Sequence, residues 1–225
     1  MKRLTICVVG MFLTAEMACA ATITQTKNFN VIPNMNGSLV FNKFNSALGS
    51  LTSIQIRLTL QTSGGQLIID NDNTLPASGT FEFGAMGSIS STKVALLDSS
   101  HMAIPGTAGA YTSQAFTLTA NAGDGMGDYD PTPTDGLLYN GGIETDNKSG
   151  FVGSFAWGDY TGSDTYNIDY SILQWLDFVG SIGGIEYAIL PVNASGNVTV
   201  VYGYVPEPAT IGLLAVGAIA LLRKR

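Results

Sequence analysis

The side chains able to do chemistry fall into four groups along the 225-residue chain. The densest is Asp124-Gly125-Met126-Gly127-Asp128-Tyr129-Asp130, which places three carboxylates in seven glycine-rich residues. Calcium takes roughly six to eight oxygens, and a glycine-containing loop can wrap them around it. Asp124, Asp128 and Asp130 are therefore the candidate calcium ligands, with Asp135 as a further donor. The stretch lacks the Asp-x-Asp-x-Asp-Gly order and the distal Glu of an EF-hand, and a solvated acidic loop accounts for the same residues. The second group is aromatic. Trp157, Tyr160, Tyr166, Tyr170 and Trp175 fall within nineteen residues, interleaved with Asp159, Asp164 and Asp169. Ring faces stack on sugars and carboxylates accept hydrogen bonds from sugar hydroxyls, so Trp157, Tyr160 and Trp175 are candidate carbohydrate-binding residues. Large aromatics also fill cores.

The third group is Glu82, between Phe81 and Phe83, and Glu186, between Ile185 and Tyr187. A glycosidase needs two carboxyl groups about 5–9.5 Å apart across a sugar. The outward positions of alternating strands account for these two residues better. The fourth is the only histidine, His101, in Asp98-Ser99-Ser100-His101. No Gly-x-Ser-x-Gly elbow accompanies it, and no glycine-rich loop ends in Gly-Lys-Ser or Gly-Lys-Thr. The expectation is a protein with no catalytic residues and, calcium aside, no cofactor.

The elements that must position these groups read as β throughout. In 51–61, Ile54, Ile56, Leu58 and Leu60 alternate with Gln55, Arg57, Thr59 and Gln61. A period of two gives a strand with one buried and one wet face. Residues 197–204 repeat the pattern through Val198, Val200, Tyr202 and Tyr204. Further strands are expected over 38–44, 66–70, 80–83, 88–97, 111–119, 150–157 and 184–190, separated by Gly, Asn, Asp and Pro clusters. Many short strands with turn signals between them predict an all-β fold, an antiparallel β-sandwich of jelly-roll type. Ile172, Trp175, Leu176 and Val179 have helical spacing and predict a helical turn. Residues 121–147 form the longest stretch with no strand signal.

The two ends have a different character. Lys2 and Arg3 precede an apolar run, and Ala18-Cys19-Ala20 supplies small residues for a signal peptidase. Cleavage is expected after Ala20, and residues 1–20 read as a signal helix. At the other end Val205-Pro206-Glu207-Pro208 precedes an uncharged stretch over 209–222, then Arg223-Lys224-Arg225. The prolines keep the motif extended, the apolar stretch suits lipid as a helix, and the three cations act as a stop-transfer signal on the cytoplasmic side. Fourteen helical residues reach about 21 Å against about 30 Å of hydrocarbon, so flanking residues must snorkel or the bilayer must thin. The chain thus divides into 1–20, a domain over 21–204 and a tail over 205–225. Both cysteines, Cys7 and Cys19, lie in the first segment, which leaves the domain without disulfide, thiolate or cysteine metal site. Between the two ends, five cations face fifteen acids, a net charge of −10. Such a surface repels phosphate backbones, and no nucleic-acid partner is expected.

The ordered series of Pro-Glu-Pro motif, apolar stretch and basic end resembles the PEP-CTERM sorting signal. That resemblance implies export, processing by an exosortase, and a home in the Gram-negative envelope or extracellular matrix. Phe41, Phe44, Leu48, Gly49, Leu51 and Ile54, with the later Phe178-Val179-Gly180-Ser181-Ile182-Gly183 and the closing strand over 198–204, are similar to the choice-of-anchor E family of bacterial surface domains. This second resemblance implies a β-rich extracellular domain and no catalytic residues. Phe41, Phe44 and Leu48 are expected to pack under a turn at Gly49. Together these readings predict a surface or matrix protein that binds or organises exopolysaccharide. The alternatives are a secreted glycan-active hydrolase and a surface protein kept in the inner membrane by its tail.

Overall fold

The computed structural model describes residues 20–121, 123, 129, 131 and 134–207. The expected signal helix and apolar C-terminal helix lie outside the described residues, as do Ala18, Pro208, Arg223, Lys224 and Arg225. Among the described residues no helix is long and apolar enough to cross a membrane.

Among the described residues eleven strands carry the fold: β1 (Ala21–Val31), β2 (Met35–Asn42), β3 (Gly49–Ser63), β4 (Gln66–Asn71), β5 (Ala77–Ser90), β6 (Ala108–Leu118), β7 (Gly136–Asn140), β8 (Glu144–Phe151), β9 (Thr165–Ser181), β10 (Ile185–Leu190) and β11 (Asn193–Pro206). They pair antiparallel in three sheets, ordered β1-β11-β3-β8, β2-β9-β5-β6 and β10-β4-β7. The all-β, antiparallel expectation holds.

The core follows from alternation. Ile54, Ile56, Leu58 and Leu60 of β3 are fully buried, as are Val198, Val200 and Tyr202 of β11. The register sets Ile54 opposite Tyr202, Ile56 opposite Val200 and Leu58 opposite Val198, so one apolar face spans both strands. It meets the inner face of β2-β9-β5-β6. Phe29 of β1 stacks on Tyr170 of β9 at 4.8 Å, and the Tyr166 and Tyr202 hydroxyls meet at 2.7 Å. Thr62 of β3 donates to the Ala110 carbonyl of β6 at 3.1 Å. The small sheet continues the β1-β11-β3-β8 layer, since only Gly64 and Gly65 separate β3 from β4. Tyr139 of β7 packs edge-on to Phe81 and Phe83 of β5.

Five expectations need correction. Residues 172, 175, 176 and 179 lie in the seventeen-residue strand β9, not in a helical turn. Strand β9 is hydrogen-bonded on both sides, to β2 and to β5, and that ladder outweighs a helical coincidence of spacing. The stretch over 121–147 holds β7 and the start of β8. Residues 80–83 and 88–90 belong to one strand, β5, while residues 154–160 form a 3-10 helix. Leu48 is exposed; Phe41 and Phe44 alone are buried beneath the turn at Gly49.

Candidate functional site

The outer face of β9-β5-β6 gathers the exposed chemistry. Trp175 faces Gly84 in the register, and Gly84 faces Tyr111. The absence of a side chain at Gly84 lets the two rings approach across it, with centroids 6.1 Å apart and planes inclined 36°. A Cβ there would collide with the Ala110 carbonyl and with Tyr111. Neither Trp175 nor Tyr111 is among the hydrophobic residues packed on the core, and both are partly exposed. One row along, Glu82 of β5 faces Asp177 of β9 and Ser113 of β6. The Trp175 indole N–H donates to Glu82 Oε2 at 2.8 Å, which fixes the ring over the sheet. Leu173 faces Met86 in the row beyond the aromatics, and Val179 faces Thr80 in the row beyond the acids.

This face therefore offers an aromatic pair beside two carboxylates. Like charges directly opposite each other on a sheet are unfavourable, so the Glu82–Asp177 pairing carries a cost in the absence of a donor between them. Of the domain's five cations, Lys27, Arg57 and Lys148 belong to the other layer, Lys43 pairs with Asp164 at 3.3 Å, and Lys93 lies in the loop after β5.

The aromatics expected to act together are dispersed. Trp175 lies on the outer face. Trp157 sits in the 3-10 helix, donates to the Val152 carbonyl at 3.0 Å and packs against the core. Tyr160 is fully buried with its hydroxyl on the Ala95 carbonyl at 2.8 Å, which makes it a core residue with no face to offer a sugar. Tyr160 meets Tyr166 edge-on at 5.2 Å, and the Tyr202 hydroxyl reaches the Asn42 carbonyl at 3.1 Å. Burial raises all three phenols above the usual tyrosine range. For Tyr160 the neighbouring Tyr202 and Asp159 add to it. For Tyr166 the neighbouring Tyr202 adds most. For Tyr202 the hydrogen bond with Tyr166 works the other way, leaving it pushed up to about 12.

The remaining candidates are also separated. Glu82 lies in β5 and Glu186 in β10, opposite Asp70, in different sheets. His101 has a positive φ of 63° and stacks on Phe155 at 4.4 Å. Asp98 Oδ1 accepts from the Ser100 and Met102 N–H groups, so this acid and the histidine shape a tight turn. Asp124, Asp128 and Asp130 lie outside the described residues. Asp135 is buried just before β7, and its carbonyl accepts from the Asn71 N–H at 3.1 Å. Among the described residues no three His, Cys, Asp or Glu side chains are grouped to hold a metal.

Tyr111 and Asp177 escaped the sequence reading. Tyr111 begins an expected strand, but nothing in the linear order links positions 82, 84, 111, 175 and 177.

Val205 and Pro206 end β11, paired with Ser50 and Gly49, and Glu207 is exposed beyond them. The PEP-CTERM protein-sorting motif matches residues 205–225. The chain is thus an exported β-rich protein, sorted by exosortase to the cell envelope or surface. Comparison with curated proteins gives no match. Among solved structures, those of the Gx and Gt strains of infectious bursal disease virus are similar at 12% and 9% identity, over 86% and 84% of this chain, with TM-scores of 0.14 and 0.13. The chain spans only 42% and 41% of those chains, and similarity at that level defines no shared fold.

Proposed function

We propose that this exported domain is a non-catalytic polysaccharide binder of the cell surface or matrix, and that the outer face of β9-β5-β6 is its binding surface. The observation that carries the reading is the Tyr111–Trp175 pair straddling Gly84, outside the core and beside Glu82 and Asp177. Aromatic faces cover the apolar faces of sugar rings, and ionised carboxylates are pure acceptors that pair with hydroxyl or ammonium donors. Two adjacent carboxylates in a domain of net charge −10 repel uronates and sulfated sugars. The preferred ligand is accordingly a neutral or amine-bearing glycan. The resemblance of residues 41–54 to choice-of-anchor E domains implies an extracellular β-rich domain without catalytic residues, which is in keeping with that role.

The test is titration of the secreted protein with a neutral β-glucan, a glucosamine polymer with free amines, and polygalacturonate. Binding to the first or second and not to the third is expected. Trp175→Ala should weaken it at least about tenfold, the loss of one stacking aromatic at about 1.4 kcal/mol per decade. Binding that survives Trp175→Ala unchanged, or no binding to any glycan, sinks the proposal. Release of reducing ends from a bound glycan would instead show a hydrolase.

A further inference from the structure

The sorting motif and the folded domain share residues. The motif begins at Val205, whereas β11 runs through Pro206. β11 is no edge strand: it lies between β1 and β3. On one side Ala21 pairs with Tyr204; on the other Leu51, Ser50 and Gly49 pair with Tyr204, Val205 and Pro206. The contact at the end of this ladder is close. A Cβ on Gly49, whose φ is +143°, would overlap the Val205 carbonyl oxygen and come within 2.8 Å of the Pro206 Cα. The partner segment is held in turn by a short 3-10 helix, Ser46–Leu48. Asn45 caps it by accepting from the Ala47 N–H, and the Gly49 N–H donates back to the Ser46 carbonyl. Tyr204 packs against buried Phe44 with ring centroids at 5.4 Å. Glu207 alone of the described motif residues stands outside the strand and exposed.

Enzymes that cut or transfer peptide chains bind them extended and engage main-chain groups on both sides of the scissile bond, as an added strand would. Residues already paired within a sheet must first be opened, at a free-energy cost that rises with their distance from a fraying end. We infer that the folded domain sets the upstream limit of tail processing: the scissile bond lies C-terminal to Glu207, and the released domain keeps Val205 and Pro206 as the end of β11. In the transfer, the carbonyl carbon of a bond after Glu207 or a later residue passes to the oxygen or nitrogen of an O–H or N–H nucleophile, of which water is the simplest. The proton of that nucleophile leaves with the departing amine. Pairing of Ala21 with Tyr204 then places the start of the domain beside its new end. The inference rests on the sorting motif and the register, and stands apart from the glycan reading.

Intact mass and C-terminal peptides of the protein recovered from the native envelope and medium test it. Termini at Glu207 or any later residue before the basic end are expected. Termini at Pro206 or upstream, or a chain that everywhere retains Arg225, would overturn it. Gly49→Val wedges the ladder apart and should yield new termini at or upstream of Pro206. Because that change can compromise folding, Asn45→Ala, which removes only the cap on the turn, serves as the milder variant. Termini unchanged in both variants, with the ladder shown to be loosened by faster amide exchange at Tyr204 and Val205, would refute the limiting role of the sheet.

Discussion

Tyr160 and Trp175 are large aromatics fifteen positions apart in the same sequence cluster, and their surroundings give them opposite duties. Tyr160 fills the core, so Tyr160→Ala should cost about 3–5 kcal/mol, as for other large buried aromatics, and lower the denaturation midpoint sharply. Trp175→Ala removes a partly exposed ring from an outer face and should leave the midpoint within about 1 kcal/mol of the parent. Equal losses in the two variants would contradict this division. The buried phenols also fix a pH response. Burial raises Tyr160, Tyr166 and Tyr202, the last to about 12 from the ordinary tyrosine value of 10.0. Above pH 10 the unfolded chain releases phenolic protons that the folded chain keeps, so the folded state loses ground as pH rises. Their contribution is intact below pH 10 and declines above it, by up to about 1.4 kcal/mol per pH unit for each tyrosine. For Tyr202 the decline levels off near pH 12. Urea midpoints at pH 9 and pH 11 should differ accordingly, and Tyr202→Phe should make the slope shallower.

At the scale of elements, β8 shows how a strand on the rim of one layer is tied to the other. Asp146 Oδ2 accepts from the Gly109 N–H of β6 at 2.9 Å and pairs with Lys148 at 3.1 Å, while Oδ1 accepts from the Asn147 N–H at 2.8 Å. Burial pushes this carboxyl up, but the Gly109, Lys148 and Asn147 donors together outweigh it and hold it below its usual value. A depressed carboxyl stabilises the fold above its unfolded pKa near 3.8 and ceases to as pH falls through its lower folded value. Asp146→Ala should cost about 1–3 kcal/mol at pH 7, through the unsatisfied Gly109 N–H, and much less at pH 2. A loss that is the same at both pH values would show that the charge is irrelevant. Elements differ in how plainly the sequence announces them. β3 and β11 were legible because Ile54, Ile56, Leu58, Leu60, Val198, Val200 and Tyr202 keep a period of two. β1 was not, because Thr22, Thr24, Thr26, Asn28 and Asn30 are exposed in an edge strand and little but Ile23, Phe29 and Val31 faces inward. In β9 the inward set, Tyr166, Ile168 and Ile172, and the outward set, Leu173, Trp175 and Val179, are both apolar. Alternation is thereby hidden, and only pairing with β2 and β5 resolves it. The candidate site was half legible for the same reason. Its aromatic and acidic residue types are visible in the chain, whereas their neighbourhood is a product of register.

Over the whole molecule, the first and last strands of the domain are bonded to each other, and this constrains when it can fold. β11 fills the gap between β1 and β3 in the four-stranded sheet β1-β11-β3-β8, pairing Ala21 with Tyr204 across almost the entire domain. Until residues 193–206 are available, β1 has no neighbour in that sheet, and β3 has lost the strand that carries Val198, Val200 and Tyr202 into the core. Pairings so distant in sequence carry a large loop-closure cost that is repaid only when the full apolar face closes. Folding is therefore completed only after the last strand has emerged from the export machinery, not strand by strand from the N-terminus. A chain ending at Val192 should fail to fold. It should show no cooperative urea transition, rapid proteolysis, and exposed strand edges that promote association. Supplying residues 193–206 as a separate peptide should restore protection by docking between β1 and β3. A 1–192 chain that unfolds cooperatively on its own would show instead that the β2-β9-β5-β6 layer and the small sheet form an independent folding unit.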